Sequence, residues 1–228
     1  IREGDNVKRV AFAGRQPLSP TPLPCMGEGL AAQWDYRSNL GVRLALPYPA
    51  LRGAFQLHNA SAVLAVLDAL KERLPVSMDA VRRGLVEVRL TGRFQVVPGR
   101  PMLILDVAHN PHAARALAQN LASLPPCPYT FAVCAMLKDK DMAGVVTALD
   151  PYIDAWLAAG IAAPRGATAD ELASALRQSK VRGAILTFDS ITAALRHGYN
   201  EAGENDRIAA FGSFYTVAEV MQARGLSA

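Results

Sequence analysis

From residue 91 to the end of the chain, short apolar stretches alternate with segments of helical periodicity, and this alternation restricts the fold more than any other feature. A strand that is buried on both faces is apolar throughout, whereas a helix that covers a sheet carries apolar residues every three or four positions. The order is typical of an α/β protein with a Rossmann-like, mostly parallel sheet and helices on both faces. The predicted strands are 94–97, 102–107, 129–136, 153–159, 185–188 and 207–211, and the predicted helices are 111–124, 141–149, 168–178, 191–201 and 216–224.

The first 90 residues follow another pattern and are predicted to form a separate unit from residues 91–228. Residues 16–30 contain a proline-rich run, and because each proline fixes φ and lacks an amide donor, we expect a flexible insertion there. A proline-rich motif for a partner domain is the alternative interpretation. One strand is predicted at residues 7–13.

Two helices are predicted before the alternating region. Val63, Val66, Leu67 and Leu70 fall at helical spacing, so residues 59–73 are predicted to form a helix that buries this face. A second helix is predicted to start after Ser77, a plausible cap, and to run to about residue 86.

The composition excludes several classes of protein. Hydrophobic residues make up 51% of the 228 and charged residues 19%, as in an ordinary globular protein. The net charge of +4 is scattered, without a basic arm for nucleic acid, and no apolar run reaches membrane-spanning length. Three cysteines without metal-ligand spacing, and no signal peptide, indicate a cytoplasmic protein. The chain begins with Ile1 instead of Met, so we expect a piece of a longer protein.

The loop at residues 106–111 is the strongest candidate for chemistry. It follows a predicted buried strand and precedes a helix, and ligands of open parallel sheets bind at such carboxyl ends. Asp106 could accept hydrogen bonds from ribose hydroxyls, and His109 could donate to phosphate or carboxylate oxygens near a helix N-terminus. Asn110 can cap that helix, with Pro111 in its first turn. The alternative is that Asp106 and His109 only brace the turn.

Three further positions carry more than one interpretation each. The charged loop at residues 138–141 could hold an anionic substrate or bridge to another domain, or it could be solvated, with Asp141 capping the next helix. Ser213 could bond a substrate carboxylate or start the last helix. Arg93, at the junction into the alternating region, could reach nucleotide phosphates or form an interdomain ion pair.

The sequence lacks the Gly-x-x-x-x-Gly-Lys-Ser/Thr phosphate loop, so no cradle for ATP phosphates and no Mg²⁺ site are expected in this chain.

Five motifs occur together in an order that resembles one family, the bifunctional dihydrofolate synthase/folylpolyglutamate synthases of the Mur ligase superfamily. The resemblance covers about residues 40–222. The motifs are LRGAFQLHNA at residues 51–60, TGRFQ at 91–95, LDVAHNP at 105–111, MLKDKD at 136–141 and FGSFY at 211–215.

The resemblance implies a Mur ligase C-terminal domain at residues 91–228, preceded by a helical remnant of the central ATP-binding domain. It implies an ATP- and Mg²⁺-dependent monomeric ligase that adds L-glutamate to dihydropteroate or to tetrahydrofolate through an acyl phosphate. The metal ligands are expected in an N-terminal region that this chain lacks. A non-catalytic relic domain, or a Mur-type ligase for another amino acid, are the alternatives.

The resemblance also implies roles for single residues. Asn59 would contact the adenine side of ATP, Arg93 its phosphates and Asp106 its ribose. His109 would be the catalytic residue, near the transferring phosphate or the incoming glutamate, and Ser213 would help to bind that glutamate.

Overall fold

The computed structural model describes residues 33–53 and 55–226, which divide into two compact units between Arg89 and Leu90. The predicted strand at residues 7–13 and the proline-rich segment at residues 16–30 lie outside the described residues. Between residues 33 and 226, no described helix is both long and apolar enough to cross a membrane.

Unit 1 combines a β-hairpin with two helices. Strands β1 (Gln33–Ser38) and β2 (Gly41–Pro47) pair antiparallel and are followed by helices α1 (Phe55–Ala69) and α2 (Met78–Glu87). The Ser77 hydroxyl accepts a hydrogen bond from the Ala80 amide, so the predicted cap of α2 is confirmed. The small core of this unit consists of Trp34, Tyr36, Leu46, Ala60, Leu64 and Val81.

The sequence analysis missed the hairpin of unit 1, and two of its expectations for α1 are wrong. The helix begins four residues before Asn59 and ends at Ala69 instead of Arg73. The buried side of α1 is also different, since Val63 and Val66 are more than half exposed. Ala60, Leu64 and Asp68 recur every fourth residue on the buried side instead. Asp68 forms a buried ion pair with Arg43 of β2. The buried side of α1 therefore includes a charged residue, which a search for apolar residues at helical spacing does not find.

Unit 2 is built on one six-stranded sheet. Its strand order is β3-β4-β8-β5-β6-β7, with β3 antiparallel to β4 and the other five strands parallel, so the predicted mostly parallel sheet is confirmed. The strands are β3 (Gln95–Val97), β4 (Met102–Leu105), β5 (Thr130–Cys134), β6 (Ala155–Ala159), β7 (Ala184–Phe188) and β8 (Arg207–Phe211).

Five α-helices cover both faces of this sheet, as predicted. They are α3 (Pro111–Ala122), α4 (Met142–Leu149), α5 (Ala169–Gln178), α6 (Ile191–Glu201) and α7 (Phe214–Ala223). The first three share one apolar cluster with one face of the sheet, and α6 and α7 share a second cluster with the other face. Cys134 is fully buried in the first cluster.

A side chain caps the start of each of these five helices. The cap accepts the backbone amide of the third residue after it, which satisfies a donor that has no partner inside the helix. The caps are Asn110, Asp141, Thr168, Ser190 and Ser213. Because Ser213 is the cap, α7 begins at Phe214, two residues before the predicted start.

Candidate active site at the carboxyl edge of the sheet

The loops after β4, β8 and β5 lie side by side at one edge of the sheet. Leu105 is paired with Ala210, Cys134 is paired with Phe211, and the Asp106 amide donates to the Ala210 carbonyl oxygen at 3.0 Å. The chain segments that carry Asp106 and His109, Ser213, and Lys138 therefore emerge from neighbouring parallel strands at the same edge. This is the position where open parallel sheets bind their ligands.

Both carboxylate oxygens of Asp106 accept backbone amides. Oδ2 accepts the Phe94 amide and Oδ1 accepts the Ala108 amide, each at 2.8 Å. Burial raises the pKa of Asp106 above its ordinary value of 3.8, although the two amides and the nearby Arg93 guanidinium act in the opposite direction. Asp106 thus braces the turn, as the alternative interpretation of this residue predicts. Each oxygen retains a second lone pair, so a further donor can still bind.

The segment before β3 is held against this loop in an unusual conformation. Gly92 has a φ of +69°, and a Cβ atom there would lie 2.9 Å from Val107 Cγ1. Its amide donates to the Gln95 side chain at 3.1 Å, and its carbonyl accepts the Val107 amide at 2.9 Å. Phe94 also has a positive φ, +44°, which explains why β3 starts at Gln95 and not at Phe94 as predicted. Sequence reasoning missed Phe94, since nothing in its identity signals a left-handed backbone.

Arg93 and His109 present polar groups at this edge. Arg93 is exposed, and its guanidinium makes no hydrogen bond or ion pair with the described residues. His109 is half-buried, and its Nδ1 lies 2.9 Å from the Val107 carbonyl oxygen. Because a carbonyl oxygen only accepts, Nδ1 carries a proton. Nε2 of the neutral ring is then an acceptor.

Ser213 is buried, and its hydroxyl is fully engaged within the protein. Its Oγ accepts the Thr216 amide at 3.0 Å and lies 2.7 Å from Thr216 Oγ1. Thr216 Oγ1 donates to the Ala135 carbonyl oxygen at 2.8 Å, so the Ser213 hydroxyl must be the donor in their mutual hydrogen bond. The observed contacts of Ser213 are those of a residue that starts the last helix, which was one of its two interpretations. Glutamate binding by its hydroxyl stays a prediction.

The charged loop at residues 138–141 contacts the loop that follows β6. The Lys138 amide donates to the Arg165 carbonyl oxygen at 2.9 Å, and the Arg165 guanidinium bonds Asp139 at 2.7 Å. That hydrogen bond and one from Lys140 lower the pKa of Asp139. Asp141 accepts the Gly144 amide at 2.8 Å as the cap of α4, as its simpler interpretation predicts. These contacts join two loops and do not by themselves indicate a ligand.

Asn59, the fifth predicted site residue, belongs to unit 1, whereas the other four lie in unit 2. It is exposed on α1, and its Nδ2 donates to the Gln56 side chain at 3.0 Å. Its predicted contact with adenine stays a prediction.

An open cleft of about 560 Å³ lies between α6, α7 and the loop after β6. Among the described residues that line it, Glu219 is the only charged one, and one of its oxygens accepts both the amide and the hydroxyl of Thr192. An acidic cleft disfavours anionic ligands, so the edge near Arg93 suits phosphates better. Within the described ranges, no three His, Cys, Asp or Glu side chains come together as a metal site.

The topology and the position of these loops define a Rossmann-like α/β ligand-binding domain. The chain belongs to the Mur ligase family, because the family model "Mur ligase, glutamate ligase domain" matches residues 92–214. A curated relative, the dihydrofolate synthase/folylpolyglutamate synthase of Escherichia coli, is 39% identical over 189 residues, which are 83% of this chain and 42% of that protein.

Solved structures of dihydrofolate synthase/folylpolyglutamate synthases are also similar to this chain. The structure of E. coli FolC in complex with DHPP and ADP superposes with a TM-score of 0.76 at 36% identity, over 87% of this chain and 45% of that one. The Mycobacterium tuberculosis folylpolyglutamate synthase complexed with ADP superposes with a TM-score of 0.77 at 27% identity, over 86% and 45%. The chain thus spans less than half the length of these relatives.

Proposed function

We propose that this chain forms the C-terminal part of an ATP-dependent amide ligase that adds L-glutamate to dihydropteroate or to a folate. Residues 91–228 would be its C-terminal domain, and residues 1–90 would end its central ATP-binding domain. The observation that carries the proposal is the carboxyl edge of the sheet, where the exposed Arg93 lies near Asp106 in the loop that also carries His109. The names of the relatives support the same reaction, and one related structure is described with Mn, AMPPNP and L-glutamate bound.

The side chains at this edge suit the handling of a nucleotide. The Arg93 guanidinium presents several donors in one plane and can bind phosphate oxygens in pairs. Asp106 can accept a ribose hydroxyl through a remaining lone pair. Asn59 is our candidate for the adenine side. ATP supplies the phosphoryl group that activates the carboxylate, and Mg²⁺ would be bound by residues outside the described ranges.

His109 is the candidate catalytic residue. The amino group of glutamate is an ammonium ion near neutral pH and must lose a proton before it can attack an acyl phosphate. With Nδ1 donating to the Val107 carbonyl, Nε2 of the neutral imidazole has the free lone pair that can take this proton. Ser213 would help to bind glutamate in one of two ways. Its hydroxyl could exchange the hydrogen bond with Thr216 for one with glutamate, or its backbone could bind glutamate.

We also propose a cytoplasmic monomer. Cys127 and Cys134 are both free thiols, which fits a reducing compartment. Size-exclusion chromatography with light scattering would test the oligomeric state.

A chimeric ligase tests the proposed reaction. The N-terminal part of the E. coli relative is fused to this chain, and ADP release and product mass are measured with ATP, dihydropteroate or tetrahydrofolate, and L-glutamate. We expect ADP release that requires all three substrates, and none from the 228-residue chain alone. A folded chimera without activity would favour a relic domain, preference for another amino acid would favour a different Mur-type ligase, and ligation by the chain alone would contradict the division of the site.

A further inference from the structure

The Asp106 carboxylate joins two chain segments that are separate in sequence. One oxygen holds the Phe94 amide, twelve residues earlier, and the other holds the Ala108 amide, two residues later. Hydrogen bonds to a charged acceptor are stronger than those between neutral groups. The carboxylate therefore acts as a clamp between the start of β3 and the loop after β4.

The clamped segment needs such support because its backbone is strained. A left-handed conformation is unfavourable for a residue with a Cβ, and Phe94 adopts it with a φ of +44°. Its side chain is only 4% exposed and belongs to the same apolar cluster as Ile104 and Ala108. The buried ring fixes the side chain, and the Asp106 hydrogen bond fixes the amide.

Arg93 lies between two residues that are both anchored. On one side, Gly92 is bonded to Val107 and Gln95. On the other side, Phe94 is bonded to Asp106. The Arg93 side chain itself is exposed. Its backbone is thus fixed from both directions, while its guanidinium stays available at the carboxyl edge of the sheet.

We infer that Asp106 is a positioning residue that holds Arg93 in the orientation in which it binds the phosphates of ATP. This inference rests on the proposed ligase function, and it assigns to Asp106 a task different from a contact with the ribose. The two tasks predict different kinetics, because a ribose contact depends on the hydroxyls of the nucleotide whereas a backbone clamp does not.

The first test compares nucleotides in the chimera. Asp106→Asn keeps the shape of the side chain but replaces one acceptor with an NH₂ group that cannot bind an amide donor. We expect the KM for ATP to rise about tenfold, the equivalent of about 1.4 kcal/mol. The same factor is expected with 2′-deoxy-ATP and 3′-deoxy-ATP. If the effect disappeared with either deoxynucleotide, Asp106 would act through the ribose and the inference would fail.

The second test is a double-mutant cycle with Arg93→Ala. If Asp106 acts through Arg93, adding Asp106→Asn to Arg93→Ala should change the KM for ATP by less than about twofold, because coupled residues are not additive. Independent, multiplicative effects would overturn the inference.

A third measurement does not depend on ligase activity and uses the 228-residue chain itself. In NMR hydrogen-exchange experiments, Asp106→Asn should accelerate exchange of the Phe94 and Ala108 amides and broaden or shift the Arg93 amide signal. The matched control is Asp141→Asn, which alters another carboxylate that accepts a backbone amide and should affect Gly144 instead. Unchanged exchange at Phe94 would refute the clamp even if the chimera were active. If the chimera were inactive, the proposed function would fail while this measurement still decided the clamp.

Discussion

The carbonyl oxygen of Ala135 lies so close to Gly212 that a Cβ atom at position 212 would stand 2.5 Å from it. Gly212 also has a φ of +114°, where residues with a Cβ are strained. This contact sets the spacing between the loops after β5 and β8.

Gly212→Ala should therefore destabilise the chain by more than about 2 kcal/mol, because backbone atoms must move apart in addition to the strain. The measurement is urea unfolding. Gly225→Ala is the matched control, since Gly225 has a φ of +62° but open space around its Cβ position. We expect it to cost only about 1 kcal/mol. Equal costs for both variants would show that the close approach to Ala135 is unimportant.

The Thr216 hydroxyl connects Ser213 to the Ala135 carbonyl in a fully buried place. Thr216→Val keeps the shape of the side chain but leaves buried polar groups without their partner, which should cost about 1–3 kcal/mol of unfolding free energy. Thr147→Val removes an exposed hydroxyl from α4 and should change stability by less than about 0.5 kcal/mol. A Thr216→Val variant as stable as Thr147→Val would show that this network contributes little.

Asp106 should make stability depend on pH in an unusual direction. Burial raises the pKa of its carboxyl in the folded state, so between its ordinary pKa of 3.8 and the raised value the folded chain binds more protons than the unfolded one. Stability from this group is present in acid and is lost as the pH rises through that window. Relative to Asp106→Asn, the unmodified chain should lose stability in urea titrations as the pH rises above 3.8. A relative gain would mean that the amide hydrogen bonds outweigh burial.

Cys134 should resist alkylation in the folded chain. Complete burial raises the pKa of its thiol to about 12, and the thiolate is the reactive species. Cys127 is half-buried and provides an internal comparison. Treatment with iodoacetamide at pH 8, followed by peptide mass spectrometry, should label Cys127 before Cys134, and urea should remove the difference. Rapid labelling of Cys134 without urea would indicate that the core opens locally.

The elements of unit 2 could be predicted from the sequence because several independent patterns indicated each of them. Apolar strands, helical spacing and capping residues such as Asn110 and Asp141 all indicated the same elements, and only boundaries moved by one or two residues. The carboxyl-edge rule also selected the loops that carry Asp106, His109 and Ser213, but that these loops follow the neighbouring strands β4 and β8 is known only from the structure.

Unit 1 was predicted less well, for physical reasons. The alternation of Trp34 and Tyr36 with polar residues is a strand signal that could have been recognised. In β2 the pattern is broken by an irregular register and by Ala45, whose φ is +53°. The strained backbone of Phe94 and the inward hydroxyl of Ser213 depend on contacts between distant segments, which local patterns do not report.

The proposed nucleotide site depends most on Arg93 as the phosphate-binding group at the carboxyl edge of the sheet. The direct measurement is ADP release by the chimera with Arg93→Ala, compared with Arg100→Ala. Arg100 precedes β4, at the opposite end of that strand, and makes an exposed ion pair with Glu204. We predict that Arg93→Ala lowers kcat/KM for ATP at least about tenfold, while Arg100→Ala leaves it within about twofold. Equal activities of the two variants would contradict phosphate binding by Arg93.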